Sequence, residues 1–298
     1  MRVLISGASG LIGSAVTHAL QEVGAQPVAL VRRPARQGEV QWNPAEPLDP
    51  AKLAGGDAVV HLAGRNIAGY WTAKFKQEVR DSRVQGTQTL AKAAAESYRR
   101  SGQPHVFISA SAIGYYGDRG EELLTEKSLP GHGFLAEVSQ EWEGATTPAR
   151  EAGVRVVNLR FGVVLARDGG ALKSMWLPFR LGLGGRVGSG KQYWSWISLD
   201  DVVGVILFAL RSDSLRGPVN VVSPEPARNA EFVRALGEAL HRPTVFPLPA
   251  FVVRAVMGEM GEAALLASVR VEPARLKAAG YQFRHPHLQD ALQGRARR

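Results

Sequence analysis

Short, continuous apolar runs alternate along this chain with longer segments of helical period. Residues 3–5 (Val-Leu-Ile) are too few for a helix and stop at a glycine, whereas residues 11–23 are long and helix-compatible. Residues 28–31, 58–62, 105–108 and 154–159 repeat the short apolar run, each separated from the next by enough chain for a crossover. Residues 75–98 and 134–152 predict helices, the second ended by Gly153. Buried strands linked by helical crossovers predict an α/β fold, a mostly parallel Rossmann-like sheet with helices on both faces.

The pattern changes after about residue 164. A glycine-rich stretch at 178–190 predicts loops, followed by a helix at 201–210, a strand at 219–222 and a helix at 229–240. Prolines within 243–249 predict an ordered connection. Periodic pieces at 251–257, 263–269 and 273–279 predict a small helical lobe closing over the first part. The expected organisation is therefore residues 1–165 as a dinucleotide-binding domain, to which later segments return, and residues 166–298 as a substrate-side region. No internal repeat is visible, which excludes a solenoid or propeller.

Charge narrows the function less than it first promises. Thirty-six basic against 27 acidic residues give +9. The basic residues are scattered, and only Arg295, Arg297 and Arg298 form a compact basic end, so the excess reads as a solvated surface and not as a nucleic-acid site. The chain has no cysteine, which excludes disulfides, a thiolate nucleophile and thiolate-held metal. No leader-like apolar run follows Met1, and no eighteen-residue apolar stretch occurs, so a cytoplasmic protein without a membrane partner is expected. A homo-oligomer is left open.

The sharpest chemical signal follows the first apolar run. Gly7, Gly10 and Gly13 recur every third residue between strand and helix, with Ser9, Leu11 and Ile12 among them. Such a turn lets backbone approach a pyrophosphate and aims free N–H groups at it. At the end of the second strand, where a carboxylate would hold the ribose hydroxyls of NAD, the chain has Arg32 and Arg33, and no carboxylate follows until Glu39. Paired guanidiniums suit a ribose phosphate, so the expected cofactor is NADP(H). A second glycine-rich stretch, Gly185 to Lys191, copies the spacing of a triphosphate loop. Gln192 stands where that loop needs a hydroxyl, and no strand precedes it, so ATP or GTP binding is not expected.

These residues, with Leu62-Ala63-Gly64, Ser82-Arg83-Val84-Gln85-Gly86-Thr87, residues 109–117, Leu159-Arg160-Phe161-Gly162-Val163 and Trp196 to Asp201, resemble the extended short-chain dehydrogenase/reductase superfamily. The resemblance is to its NAD(P)-dependent epimerase-like members with a C-terminal domain of unknown function, and it covers nearly the whole chain. It implies a substrate cleft formed with the C-terminal part, and oxidation, reduction or epimerisation of a small or nucleotide-linked hydroxyl or carbonyl compound. It also implies cofactor contacts at Leu62, Ala63, Gly64, Glu78, Arg83 and Val163.

The resemblance breaks at the catalytic helix. Relatives carry Tyr-x-x-x-Lys there, a spacing that puts both side chains on one helix face, and residues 134–143 contain neither. Ser111 matches the polarising serine in one alignment, and Tyr115 and Tyr116 are the candidates for a relocated hydroxyl donor. Their bland alternative is one buried ring and one ring lining the cleft. Either catalysis uses these groups, or the chain is a non-catalytic NADP(H)-binding interaction or redox-sensing protein. His61 reads as a core histidine and His132 as a loop residue. Trp194 and Trp196 line either a pocket or a half-buried strand. His285 and His287 lack a third ligand, so no metal site is expected.

Overall fold

The computed structural model describes residues 1–166 and 169–296; the expected basic end at Arg297 and Arg298 lies outside them. Val3, Leu4 and Ile5 have no exposed surface. Their strand, β1 (Arg2–Ser6), sits in mid-sheet, flanked by β2 (Gln26–Val31), with β3 (Val40–Gln41) at the edge beyond it. On its other side lie β4 (Ala58–His61), β5 (Val106–Ala112), Arg155–Phe161 and Gly217–Val221, giving seven strands. All pairings in this sheet are parallel. Strand order reverses between β1 and β4, and ligands of such sheets bind beyond the strand ends at this point.

Helices cover both faces. One layer of core packs α1 (Leu11–Glu22) and the Leu199–Arg211 helix against Val3, Ile5, Val60 and Ile108. The other packs α2 (Ala73–Ser101) against Leu4, Val59 and Phe107 through Leu90, Ala91 and Ala94. Residues 134–152 form two helices where the periodicity predicted one. Here α3 (Phe134–Gly144) stops, Thr146 Oγ1 donates to Glu143 O, and Pro148 sits in the first turn of a new helix at Thr147–Glu151. Proline is tolerated there because it lacks the amide that a continuing helix would need.

Beyond residue 165 the chain returns to the sheet through Leu199–Arg211 and Gly217–Val221. The predicted strand at 219–222 therefore completes the sheet edge. Two helices, Gly170–Arg180 and Leu288–Ala296, were not predicted. Residues 263–269 are not one helix: a π-turn at Glu262–Leu266 leads into extended chain and a short strand, Arg270–Val271, paired parallel with Leu123–Leu124.

Buried polar groups hold the C-terminal segments to the sheet. Glu126 accepts the amides of Asn220 and Arg275, and the carboxylate of Asp201 accepts those of Arg284 and His285. No helix among the described residues is long and apolar enough to cross a membrane.

Candidate functional site

The glycine turn closes on itself. Gly7 has φ 72°, and a Cβ there would lie 2.9 Å from the amide nitrogen of Ala63. A Cβ on Gly13 would lie 2.1 Å from Gly7 O, so only a bare α-carbon lets α1 start this close to β1. Gly10 occupies the N-cap without a side-chain hydrogen bond. The first-turn amides of Leu11, Ile12 and Gly13 thus have no intrahelical acceptor and lie at the open start of α1, just beyond the end of β1. Ser9 is exposed beside them, and the Gly170–Arg180 helix begins against Leu11, close enough that a Cβ on Gly169 would lie 2.8 Å from its Cδ1.

The two arginines after β2 are not equivalent. Arg33 Nη1 and Nη2 donate to the two carboxylate oxygens of Glu39 at 2.6 Å, and Arg36 N donates to Glu39 as well. Arg32 is exposed and has no polar side-chain partner among the described residues.

Leu62, Ala63 and Gly64 continue from β4, and Leu62 and Ala63 pack directly against the glycine turn at Gly7. Ser6 Oγ accepts the amides of Leu62 and Ala63 at 3.2 and 3.3 Å, so its own proton goes to His61 Nδ1 at 2.5 Å. That places the His61 proton on Nε2, which is buried without an acceptor among the described residues. Burial pushes the His61 imidazole down to about 3, and the ring packs edge-on against Trp42. His61 is a core residue that shapes the loop, not an exposed base.

Arg83 lies beside Gly64, whose Cβ position is 3.6 Å from its Cζ. The guanidinium stacks over Trp142 of α3 at 5.0 Å and donates to Val79 O. Among the described residues no carboxylate pairs with it, and desolvation lowers it to about 10. Glu78 instead pairs with Arg65 at 2.8 Å. Val163 is half-buried in a short parallel pair with Trp196, its amide donating to Ser195 O.

At the end of β5 the candidate hydroxyls have separate fates. Ser111, 2% exposed, donates to Glu143 Oε1 at 2.7 Å. Tyr116 has no exposed surface. Its hydroxyl meets Asn220 Oδ1 at 2.7 Å and accepts Arg160 Nη1 at 2.9 Å, and burial raises it above the usual phenol range despite Arg160. This geometry withdraws Tyr116 from the candidate proton donors, because a reacting atom has no access to its hydroxyl. Tyr115 is half-exposed, with the Arg160 guanidinium 3.5 Å from its ring centroid. Arg160 itself is raised: burial opposes its charge, but the bidentate bonds to Glu143 outweigh that cost.

Glu143 and Arg160 were missed in the sequence. The available signal was Arg160 itself, a charge inside an apolar strand run, which demands a buried partner. On α3, Leu135 packs against Gly114. His132 is exposed in a loop, while His285 and His287 pair with Asp200 and Glu225. Trp194 and Trp196 are buried in the C-terminal core. Among the described residues no cluster of three or more metal-ligating His, Asp or Glu side chains occurs. The Gly185–Lys191 stretch packs on the chain at 246–248.

Comparison with known proteins agrees with this architecture. Residues 3–222 match the model of the NAD dependent epimerase/dehydratase family, and residues 248–294 match a domain of unknown function, DUF1731. An epimerase family protein of Mycobacterium tuberculosis is 46% identical over 293 residues, covering 97% of this chain and 96% of that one. The mouse epimerase family protein SDR39U1 is 40% identical, covering 98% of each chain. The crystal structure of human SDR39U1 with NADPH is 37% identical with a TM-score of 0.91, covering 99% of each chain. A UDP-glucuronic acid 4-epimerase from Bacillus cereus, 17% identical with a TM-score of 0.76 over 99% of this chain and 97% of its own, shares the fold. A glycine turn at the sheet's switch point, a paired core and a match over nearly the whole length lead to one assignment: the chain belongs to the NAD dependent epimerase/dehydratase family, in the group that ends in DUF1731.

Proposed function

We propose that the chain is an NADP(H)-dependent oxidoreductase or epimerase-like enzyme acting on a small or nucleotide-linked hydroxyl or carbonyl compound. The observation that carries this reading is the turn in which Gly7 and Gly13 leave no room for a Cβ and α1 starts without a side-chain cap on its first amides. The human relative with NADPH supports it. Arg83 fits the same reading, since a desolvated guanidinium without a carboxylate gains most from an anionic ligand.

In this reading Leu11, Ile12 and Gly13 donate backbone N–H groups to the pyrophosphate, with Ser9 at its edge. Arg32 and Arg33 stand at the adenosine ribose, with Arg32 the guanidinium of the two that has no carboxylate partner among the described residues. Leu62, Ala63, Gly64 and Val163 form the walls, while Arg83 meets phosphate or ribose oxygen. Glu78 acts through Arg65. When bound, the nicotinamide supplies hydride to a substrate carbon or removes it. Tyr115 is the hydroxyl that gives or takes the accompanying proton. Ser111 and Tyr116 are positioning residues: with Glu143 they fix Arg160, and Arg160 fixes the Tyr115 ring. The proposed location is cytoplasmic.

A second reading, NADP(H) binding without turnover, is favoured by residues 134–143 of α3, which supply neither a tyrosine nor a lysine. Steady-state oxidation of NADPH with a panel of ketones, aldehydes and sugar nucleotides separates the two. Turnover lost in Tyr115→Phe supports the enzyme. Tight NADPH binding with no turnover, together with a cofactor-dependent change of oligomeric state, supports the second reading.

A further inference from the structure

The two arginines at the end of β2 look interchangeable in the sequence, and the structure separates them. Arg33 uses Nη1 and Nη2 in parallel bonds to the Glu39 carboxylate, and Nη1 also donates to Pro34 O. A phosphate approaches arginine through the same parallel N–H edge that a carboxylate uses. The Glu39 oxygen atoms therefore occupy one of the two parallel N–H edges of Arg33, the Nη1–Nη2 edge, and leave a phosphate only the Nε side, next to the carboxylate charge; the amide of Arg36 secures one of those oxygens at 2.8 Å. The hydrogen bond from Arg33, with the one from Arg36 N, lowers the Glu39 carboxyl to about 2, so it is ionised at any physiological pH. Displacing it would leave a carboxylate beside a phosphate. Arg32, one residue earlier, has neither a carboxylate nor a carbonyl on its side chain among the described residues.

We infer that Glu39 is a specificity-determining residue: it occupies the Nη1–Nη2 edge of Arg33 and offsets its charge, leaves Arg32 to select the extra phosphate of NADP(H), and weakens that selection by its own charge. This inference rests on the NADP(H) reading above. It recasts the loop as an attenuated phosphate site, in which one guanidinium recognises the ligand and the other is spent on an internal anion. Loop closure comes with it, because Glu39 N also donates to Arg36 O.

Calorimetric titration of NADPH and of NADH into the full chain and its Arg32→Gln, Arg33→Gln, Glu39→Gln and Glu39→Ala variants tests this at one ionic strength. Arg32→Gln is expected to weaken NADPH about 10-fold or more and to leave NADH unchanged. Arg33→Gln is expected to change NADPH less than about 3-fold, and both Glu39 variants to strengthen it about 3-fold or more without changing NADH. Equal losses at Arg32 and Arg33, or weaker NADPH binding in either Glu39 variant, would overturn the role given to Glu39. Loss of both cofactors in both Glu39 variants would also overturn it, since the residue would then be structural. A parent protein that prefers NADH would instead remove the NADP(H) reading itself.

Discussion

Glu143 on α3 accepts Arg160 Nε and Nη2, each at 2.7 Å, and so ties the helix that lacks Tyr-x-x-x-Lys to the strand beside β5. The same carboxylate accepts the Ser111 hydroxyl, and the guanidinium reaches on to Tyr116 and Tyr115. With side chains 3% and 13% exposed, Arg160 and Glu143 are a buried pair. Removing one partner strands the other charge, so Glu143→Leu is expected to cost about 3 to 5 kcal/mol in urea unfolding. A loss below about 1 kcal/mol would show that water reaches the pair.

The adjacent tyrosines are expected to part company. Tyr116→Phe removes a buried hydroxyl bonded to Asn220 and Arg160 and should cost about 1 to 3 kcal/mol of stability. Tyr115→Phe should leave stability within about 0.5 kcal/mol and abolish NADPH-linked turnover once a substrate is in hand. Denaturant unfolding of both variants checks the first half, and turnover of the parent substrate checks the second.

Arg83 carries a desolvation cost that no carboxylate among the described residues offsets. Arg83→Met keeps most of the stem that packs on Trp142, so the unliganded protein should melt at the same temperature or higher, while NADPH binds about 10-fold or more weakly. A lower melting temperature with unchanged NADPH affinity would make Arg83 a structural residue.

Gly13→Ala should damage the turn and not merely the ligand. Its Cβ would lie 2.1 Å from Gly7 O, a backbone atom that cannot move aside alone. Overpacking of this kind costs about 1 to 3 kcal/mol, and displacement of the α1 amides should remove NADPH binding together with it. Thermal melting with and without NADPH reads both effects.

Stability should fall with acid through His61. Its folded value of about 3 lies below the ordinary histidine value of 6.5 because burial disfavours the charged ring. Above pH 6.5 both states hold it neutral. As pH drops below 6.5 the unfolded chain takes up a proton that the folded protein refuses, so unfolding becomes easier by at most about 1.4 kcal/mol per pH unit down to about pH 3. In urea titrations between pH 7 and pH 4, His61→Gln should show a shallower decline than the parent. Identical slopes would place the acid sensitivity elsewhere.

The sequence by itself determined the parallel sheet and the cofactor turn, because both rest on local rules. A strand with Val3, Leu4 and Ile5 all apolar has no water-facing side, and glycines every third residue after it tolerate only one kind of close approach. The same locality explains the errors. Residues 134–152 keep helical periodicity through Thr146, so only the proline in the following turn betrayed the break. The pieces at 263–269 predict helix, but their extended end is set by Tyr193 and Trp194, far away in the chain, with Val269 N donating to Tyr193 O.

Tertiary structure alone decided which side chains are available for chemistry. Ser111 and Glu143 are 32 residues apart, Tyr116 and Asn220 are 104 apart, and nothing in their neighbours announces either bond. Even across six residues, Arg33 and Glu39 became a pair only because the loop between β2 and β3 folds back on itself. Hydrogen bonding depends on distance and angle in space, whereas periodicity reports only which face of an element is buried. The apolar pattern therefore places the walls of the site, and the polar contacts that disarm Tyr116 and Arg33 exist only once those walls have met.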